Sequence, residues 1–174
     1  MRTVIPLEEL ARLRQQWRDR GLRVVFTNGI FDLLHIGHLQ YLEAARALGD
    51  LLVVGLNSDS STRQLKGPQR PLIPQEERAA LLLGLRPVDY VTIFEDRTAE
   101  HLVATLQPDV YVKGGDYTLS AADSAASTAN ATPPKTLPEA RIVQGYGGHV
   151  ELISYLPGHS TTELIERIVE RYAR

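Results

Sequence analysis

His35 and His38 stand three residues apart in Asn28-Gly29-Ile30-Phe31-Asp32-Leu33-Leu34-His35-Ile36-Gly37-His38, where a strand-like apolar run gives way to a helical one. Two imidazoles at that spacing share one face near a helix start, where free N–H groups and the positive end of the helix dipole favour a phosphate. Gly37 between them has no Cβ and lets a ligand come close to the backbone. A phosphate flanked by both rings suits nucleotidyl transfer. Two plainer readings fit the same residues. One is a strand–helix turn with one capping and one packing histidine. The other is a metal site, since Asp32, His35 and His38 follow at three-residue steps, but the chain has no cysteine and no fourth ligand at a zinc spacing.

Periodicity gives the elements that must position these side chains. Apolar runs predict strands over Arg23–Thr27, Leu51–Asn57, Tyr90–Phe94, Val110–Lys113 and Val150–Ser154. Amphipathic spacing predicts helices over Leu7–Arg20, His38–Leu48, Gln75–Leu85, Ala99–Leu106 and Thr161–Tyr172. The alternation is that of an α/β fold, a doubly wound parallel sheet of five strands, Rossmann-like in layout. Ligands bind such sheets beyond the carboxyl ends of the strands, where strand order reverses. His35 and His38, Ser58-Asp59, and Lys113 to Tyr117 all fall at predicted strand carboxyl ends.

Further segments carry chemistry-bearing side chains. Lys66-Gly67-Pro68-Gln69-Arg70-Pro71 reads as a strand-to-helix connection whose two cations suit a polyphosphate, and equally a solvated loop; Arg78 in the next helical turn has the same two readings. Ser160 with Glu163 fits a capping box, and that helix start also presents hydroxyls and N–H groups to an anion, so both roles can coexist. There is no Gly-x-x-x-x-Gly-Lys-Ser/Thr loop, and Gly145-Tyr146-Gly147-Gly148 lacks the dinucleotide-binding spacing. From Thr118 to Pro138 the chain is rich in Ala, Ser, Thr and Pro and is expected to be a flexible insertion in a single domain spanning 1–174, inert or acting as a lid.

Composition narrows the partners. The chain has 174 residues, 43% hydrophobic and 23% charged, with a net charge of -2, which offers no electrostatic footprint for nucleic acid or an anionic membrane. Without cysteine, disulfides and thiol catalysis are excluded. Met1-Arg2-Thr3-Val4 lacks the apolar core of a signal peptide and no run reaches membrane-spanning length, so a cytoplasmic protein acting on small molecules is expected.

Together, Phe26-Thr27-Asn28-Gly29 through His38, Gly49-Asp50, Asn57-Ser58-Asp59, Lys66-Gly67, Arg70-Pro71, Glu77-Arg78, Val88-Asp89-Tyr90-Val91, Pro108-Asp109, Val112-Lys113-Gly114-Gly115-Asp116-Tyr117, Gly147-Gly148 and Ser160-Thr161-Thr162 resemble the heptose 1-phosphate adenylyltransferase family. That family lies within the nucleotidyltransferase superfamily marked by His-x-Gly-His. The resemblance implies transfer of AMP from ATP to a sugar 1-phosphate, giving an ADP-heptose for lipopolysaccharide or another surface glycan. It assigns His35, His38 and Lys66 to the transition state, and Ser160 with Thr161 or Thr162 to the β- and γ-phosphates. Asn28, Gly29, Ile30, Phe31 and Gly37 would border the nucleotide. Gly115, Asp116, Tyr117, Asn57 and Asp59 would lie around nucleotide or sugar, Arg70, Arg78 and Lys113 would contact phosphate, and Asp32 would hold magnesium, directly or through water. It further implies a separate sugar kinase supplying the sugar phosphate, and a homodimer as the assembly to test.

Three departures bear on this resemblance. Ile30 stands where relatives often carry Cys or Thr, the 118–138 insertion replaces a short connection, and 174 residues leave no room for the kinase that often accompanies this domain. The rival enzymes are a cytidylyltransferase acting on glycerol 3-phosphate or another alcohol phosphate, and an FAD synthetase-like adenylyltransferase. Against the first, Tyr155-Leu156-Pro157-Gly158-His159-Ser160-Thr161-Thr162 lacks the arginine of the Arg-Thr-Glu-Gly-Ile-Ser-Thr-Thr segment. A catalytically silent nucleotide-binding module is the alternative outside enzymes.

Overall fold

Val24, Val25 and Phe26 open the strand that organises the molecule, and none of the three is exposed to solvent. In the computed structural model, residues 3–114, 117–118, 135–154 and 156–173 are described, 117–118 and 135–136 as strand backbone only. The elements run α1 (Leu7–Asp19), β1 (Val24–Gly29), α2 (Ile36–Arg46), β2 (Leu51–Asn57), α3 (Asp59–Lys66), α4 (Gln75–Gly84), β3 (Tyr90–Phe94), α5 (Glu100–Leu106), β4 (Val110–Gly114), β5 (Tyr117–Thr118), β6 (Lys135–Thr136), α6 (Glu139–Gly145), β7 (His149–Ile153) and α7 (Thr161–Tyr172).

Five strands pair in the order β3-β2-β1-β4-β7, and every pairing is parallel. Alternation along each strand divides the core between the two faces. Val24 and Phe26 turn toward Leu10 and Trp17 of α1, Leu102 and Val103 of α5, and Val143 of α6. Val25, Leu52 and Val54 turn the other way, toward Tyr41, Leu42 and Ala45 of α2 and Ala79 and Leu82 of α4. The doubly wound expectation holds. At the edge, Ile5 donates its N–H to the Val91 carbonyl at 2.9 Å, so the N-terminal segment covers part of β3.

Three acidic motifs have structural explanations at the amino ends of the strands. Asp50 accepts the Arg23 N–H at 2.7 Å, Asp89 the Leu52 N–H at 2.8 Å and Asp109 the Val24 N–H at 2.7 Å. Each carboxylate satisfies a backbone donor at the start of a strand. Asp89 and Asp109 are also paired with Arg46 and Arg14, respectively.

Two helices depart from the sequence reading. Asp59–Lys66 forms α3, placing Lys66 on a helix end rather than in a connecting loop. Ser58 caps it by accepting the Ser61 N–H, and Asp59 and Ser60 sit in its first turn. Glu139–Gly145 forms α6, with Ala140 and Val143 buried. The expected 118–138 insertion is therefore shorter at its carboxyl side: β6 pairs with β5 and Leu137 is buried in the core, while 119–134 lie outside the described residues.

A candidate active site at the carboxyl ends of the strands

Between β1 and β4 the sheet order reverses, and the ends of these two strands are tied together. Asn28 Oδ1 accepts from the Tyr111 hydroxyl and from Lys113 Nζ, each at 2.7 Å. The lysine also donates to the Asn28 carbonyl at 3.2 Å. Burial lowers the Lys113 ammonium to about 8, against the opposing pull of Glu139. A cation is thus fixed at the crevice where an open α/β sheet receives its ligand.

After β1 the chain turns sharply. Phe31 adopts a positive φ of 47° and buries its ring, which lies 5.3 Å from the His38 ring, centroid to centroid. His35, extended, is the N-cap residue of α2. The rings of His35 and His38 stack at 3.9 Å between centroids, with planes 29° apart. Their Nδ1 atoms are buried without a hydrogen-bond partner. An unpaired acceptor nitrogen is the less costly way to leave Nδ1 bare, which favours the tautomer carrying its proton on Nε2. Burial and then the neighbouring His35 ring push His38 down to about 4; burial and then His159 lower His35, opposed by Glu163. The pair is a set of neutral N–H donors near neutral pH.

Gly37 separates these rings from the opposite wall. A Cβ there would stand 3.0 Å from His35 Nδ1 and 3.3 Å from the Cβ of His159, so a side chain would crowd both. The opposite wall is the start of α7. Ser160 Oγ accepts the Glu163 N–H at 3.1 Å, which leaves the hydroxyl proton free to donate. His35, His38 and Gly37 on one side and His159, Ser160, Thr161 and Thr162 on the other enclose a cleft of about 490 Å³. Its chemistry is that of an anion site: imidazole donors, hydroxyls and two helix N-termini.

A model of the cytidylyltransferase-like family matches residues 26–167, a span containing every one of these groups. The chain belongs to the cytidylyltransferase-like family. Among curated proteins it is 52% identical over 168 residues to the Bifunctional protein HldE of Syntrophotalea carbinolica, covering 92% of this chain and 31% of that protein. Its identity to the Bifunctional protein HldE of Pelobacter propionicus is 51%, covering 94% of this chain and 30% of that one. The chain therefore spans about a third of the length of these relatives. Among solved structures, a lipopolysaccharide core biosynthesis protein from Thermoplasma volcanium superposes with a TM-score of 0.56 at 26% identity, covering 78% of this chain and 98% of that one.

The remaining residues expected at a cytidylyltransferase-like site fall into three groups. Lys66 is exposed and makes no hydrogen bond or ion pair among the described residues. Gly115 and Asp116, and the Tyr117 side chain, lie outside the described residues.

The third group is engaged within the protein. Asp32 does not present an open carboxylate to magnesium: it is 2% exposed, and its oxygens accept from Arg70 Nε at 2.6 Å, the Leu72 N–H at 2.8 Å and the Ile73 N–H at 2.9 Å. Burial pushes this carboxyl up, but those donors outweigh it and hold it below the usual carboxylate range. Asp32 clamps the 70–73 segment, and Arg70 is held in the clamp through Nε. Among the described residues, no three His, Asp or Glu side chains gather as a metal site. Arg78 is fully buried, bonded to the Ile73, Ile30 and Asn57 carbonyls and paired with Asp59 at 2.7 Å. Asn57 Nδ2 donates to Ser61 Oγ at 2.9 Å. Arg78, Asp59 and Asn57 thus engage one another and the backbone, fastening α4 to the ends of β1 and β2.

Sequence reasoning passed over Tyr41 and His159, which also line the cleft. The Tyr41 hydroxyl lies 2.6 Å from Thr27 Oγ1 and donates to the Val112 carbonyl at 3.1 Å, so it braces β1 against β4 beneath the histidines. His159 had a signal: it immediately precedes the Ser160 cap. A second cavity, of about 390 Å³, lies at the amino ends of the strands, where Arg14 pairs with Asp109 and the Tyr146 hydroxyl donates to the Pro108 carbonyl.

Proposed function

We propose that the chain transfers AMP from ATP to a sugar 1-phosphate, D-glycero-D-manno-heptose 1-phosphate, releasing pyrophosphate and forming ADP-heptose. The observation that carries this reading is the stacked His35–His38 pair facing the Ser160–Thr162 helix start across one cleft. Support for the sugar comes from the likeness to the HldE proteins and to a lipopolysaccharide core biosynthesis protein.

The acceptor is already ionised, so the reaction needs no strong base. A phosphate oxygen of the sugar phosphate forms a bond to the α-phosphorus as the bond to the β-phosphate oxygen breaks, and the electron pair leaves with pyrophosphate. The protein must align the three groups in line and meet charge that spreads over the α-phosphate and the leaving group. His35 and His38 donate to the α-phosphate, Ser160 with Thr161 or Thr162 holds the β- and γ-phosphates, and Lys66, at the free end of α3, swings in to neutralise them. Lys113 and the adjoining Gly115–Tyr117 segment border the nucleotide. Asp32 does not fit magnesium as it stands, and no step is assigned to an ion held there. The sugar must arrive with phosphate already on its anomeric oxygen, so a sugar kinase precedes this step, in the cytoplasm where ATP is made.

Magnesium-dependent pyrophosphate release is measured with ATP, CTP, GTP or UTP, each offered heptose 1-phosphate, glycerol 3-phosphate or flavin mononucleotide. Release with ATP and heptose 1-phosphate alone is expected. Turnover of CTP with glycerol 3-phosphate would install the cytidylyltransferase reading, and turnover of ATP with flavin mononucleotide the FAD synthetase one. ATP binding without release from any pair would make the chain a binding module.

A further inference from the structure

We propose that His159 is a third imidazole of the phosphate site, which in its protonated form binds the β- and γ-phosphates and then the departing pyrophosphate. The inference rests on the nucleotidyl-transfer reading and adds to it a residue that this reading does not use.

Three observations place His159 there. It lines the same cleft as His35 and His38. Its Cβ and the His35 ring abut the same side of Gly37, at 3.3 and 3.0 Å from the position a Cβ on that glycine would take. It also directly precedes Ser160, the N-cap of the twelve-residue helix α7, so it stands beside the hydroxyls of Ser160, Thr161 and Thr162.

The hydrogen bond of His159 fixes which nitrogen titrates. Its Nδ1 lies 2.9 Å from the Pro157 carbonyl, which can only accept, so Nδ1 carries a proton in either charge state. Nε2 has no partner among the described residues. It gains the second proton, and with that proton it becomes a charged donor. The titratable groups facing His159 are His35 and His38 on the α2 side and Glu163 in the first turn of α7; the Tyr41 hydroxyl below is held by Thr27 and Val112.

The three imidazoles divide the work by exposure. His35 and His38, stacked and partly buried, cannot both hold a proton without like-charge repulsion at 3.9 Å. They serve as neutral donors. His159 is exposed and shares the cleft with Glu163, and a polyphosphate lying beside it favours the charged form of its ring. Charge from the breaking bond accumulates on the leaving pyrophosphate, where a charged N–H donor is stronger than a neutral one.

The test is binding of inorganic pyrophosphate, measured by calorimetry between pH 6 and pH 8 without any sugar. The affinity advantage of the unmodified protein over His159→Asn is expected to shrink across that interval as the imidazole loses its proton, the ionisation of pyrophosphate being common to both proteins. His159→Asn should be about tenfold weaker than the parent at the acid end and closer to it at pH 8, as a charged contact is lost. His159→Arg should bind tightly at both ends. In the transfer assay, His159→Asn should raise KM for ATP and leave KM for the acceptor unchanged. If His159→Asn keeps the affinity and the pH slope of the parent, the proposal is overturned and the nucleotidyl-transfer reading stands. If the parent binds no pyrophosphate at any pH, that reading falls and the proposal with it.

Discussion

At the scale of single residues, the fold keeps two imidazoles of the cleft neutral near pH 7. His38 titrates at about 4 in the fold because burial and His35 oppose its charge, whereas a free imidazole titrates near 6.5. The unfolded chain therefore binds more protons between those values, and stability rises with pH through that window. The stabilising effect of a neutral His38 is complete above the unfolded value and is lost as pH falls from about 6.5 toward about 4. Melting temperatures should fall over that interval, and His38→Gln, which does not titrate, should flatten the decline; an equally steep decline in the variant would assign the pH dependence to other groups. For catalysis, His35→Ala or His38→Ala should lower kcat by about 10²-fold, as when a preorganised transition-state donor is removed. Steady-state kinetics at pH 7.5, with circular dichroism to confirm the fold, would detect it, and near-normal turnover would remove both residues from the mechanism.

At the scale of elements, the question is what holds the donors in place. Asp32 gathers the Arg70 guanidinium and two backbone N–H groups into one buried carboxylate, joining the β1–α2 turn to the start of α4. Asp32→Ala would leave the guanidinium and both N–H groups unpaired, at a cost of about 3 kcal/mol. Urea denaturation should show that loss, with the magnesium concentration for half-maximal activity unchanged. A large rise in that concentration with little loss of stability would restore Asp32 as a metal ligand. Ser58→Ala should cost about 1 kcal/mol through the lost α3 cap, and a smaller effect would mean that other groups hold that turn. These elements also mark how far the sequence could be read. The five sheet strands were legible because a parallel strand buried on both faces is a continuous apolar run, as in Leu51–Asn57. Helix α3 was not, since Asp59-Ser60-Ser61-Thr62-Arg63-Gln64-Leu65-Lys66 has a single large apolar residue, Leu65, and that one is exposed. Helix α6 offers only Ala140 and Val143 as a buried pair, too few to show a period. That the two histidines share one face was legible from spacing alone, whereas the mutual engagement of Arg78, Asp59 and Asn57 depends on how α4 packs over the strand ends.

At the scale of the whole molecule, the two walls of the cleft differ in how firmly they are held. The wall with His35 and His38 belongs to α2, which buries Tyr41, Leu42 and Ala45 against the sheet. The other wall is α7, which has no buried residue; Ile168, Val169 and Tyr172 are 49%, 54% and 77% exposed. An element with so little apolar burial opens at low free-energy cost. A polyphosphate lying between the walls would contact both, and its binding energy would favour the arrangement in which Ser160, Thr161 and Thr162 face the histidines. Hydrogen exchange should therefore slow across residues 160–172 when a non-hydrolysable ATP analogue binds. The amides of β1 and β2, already in the centre of the sheet, should be unaffected. The Ser160→Ala variant, lacking the cap and one phosphate donor, should show faster exchange in α7 without ligand and a smaller slowing with it. Equal protection of α7 with and without the analogue would mean that the helix is held independently of ligand, and the closing of this wall would then play no part in ordering the site.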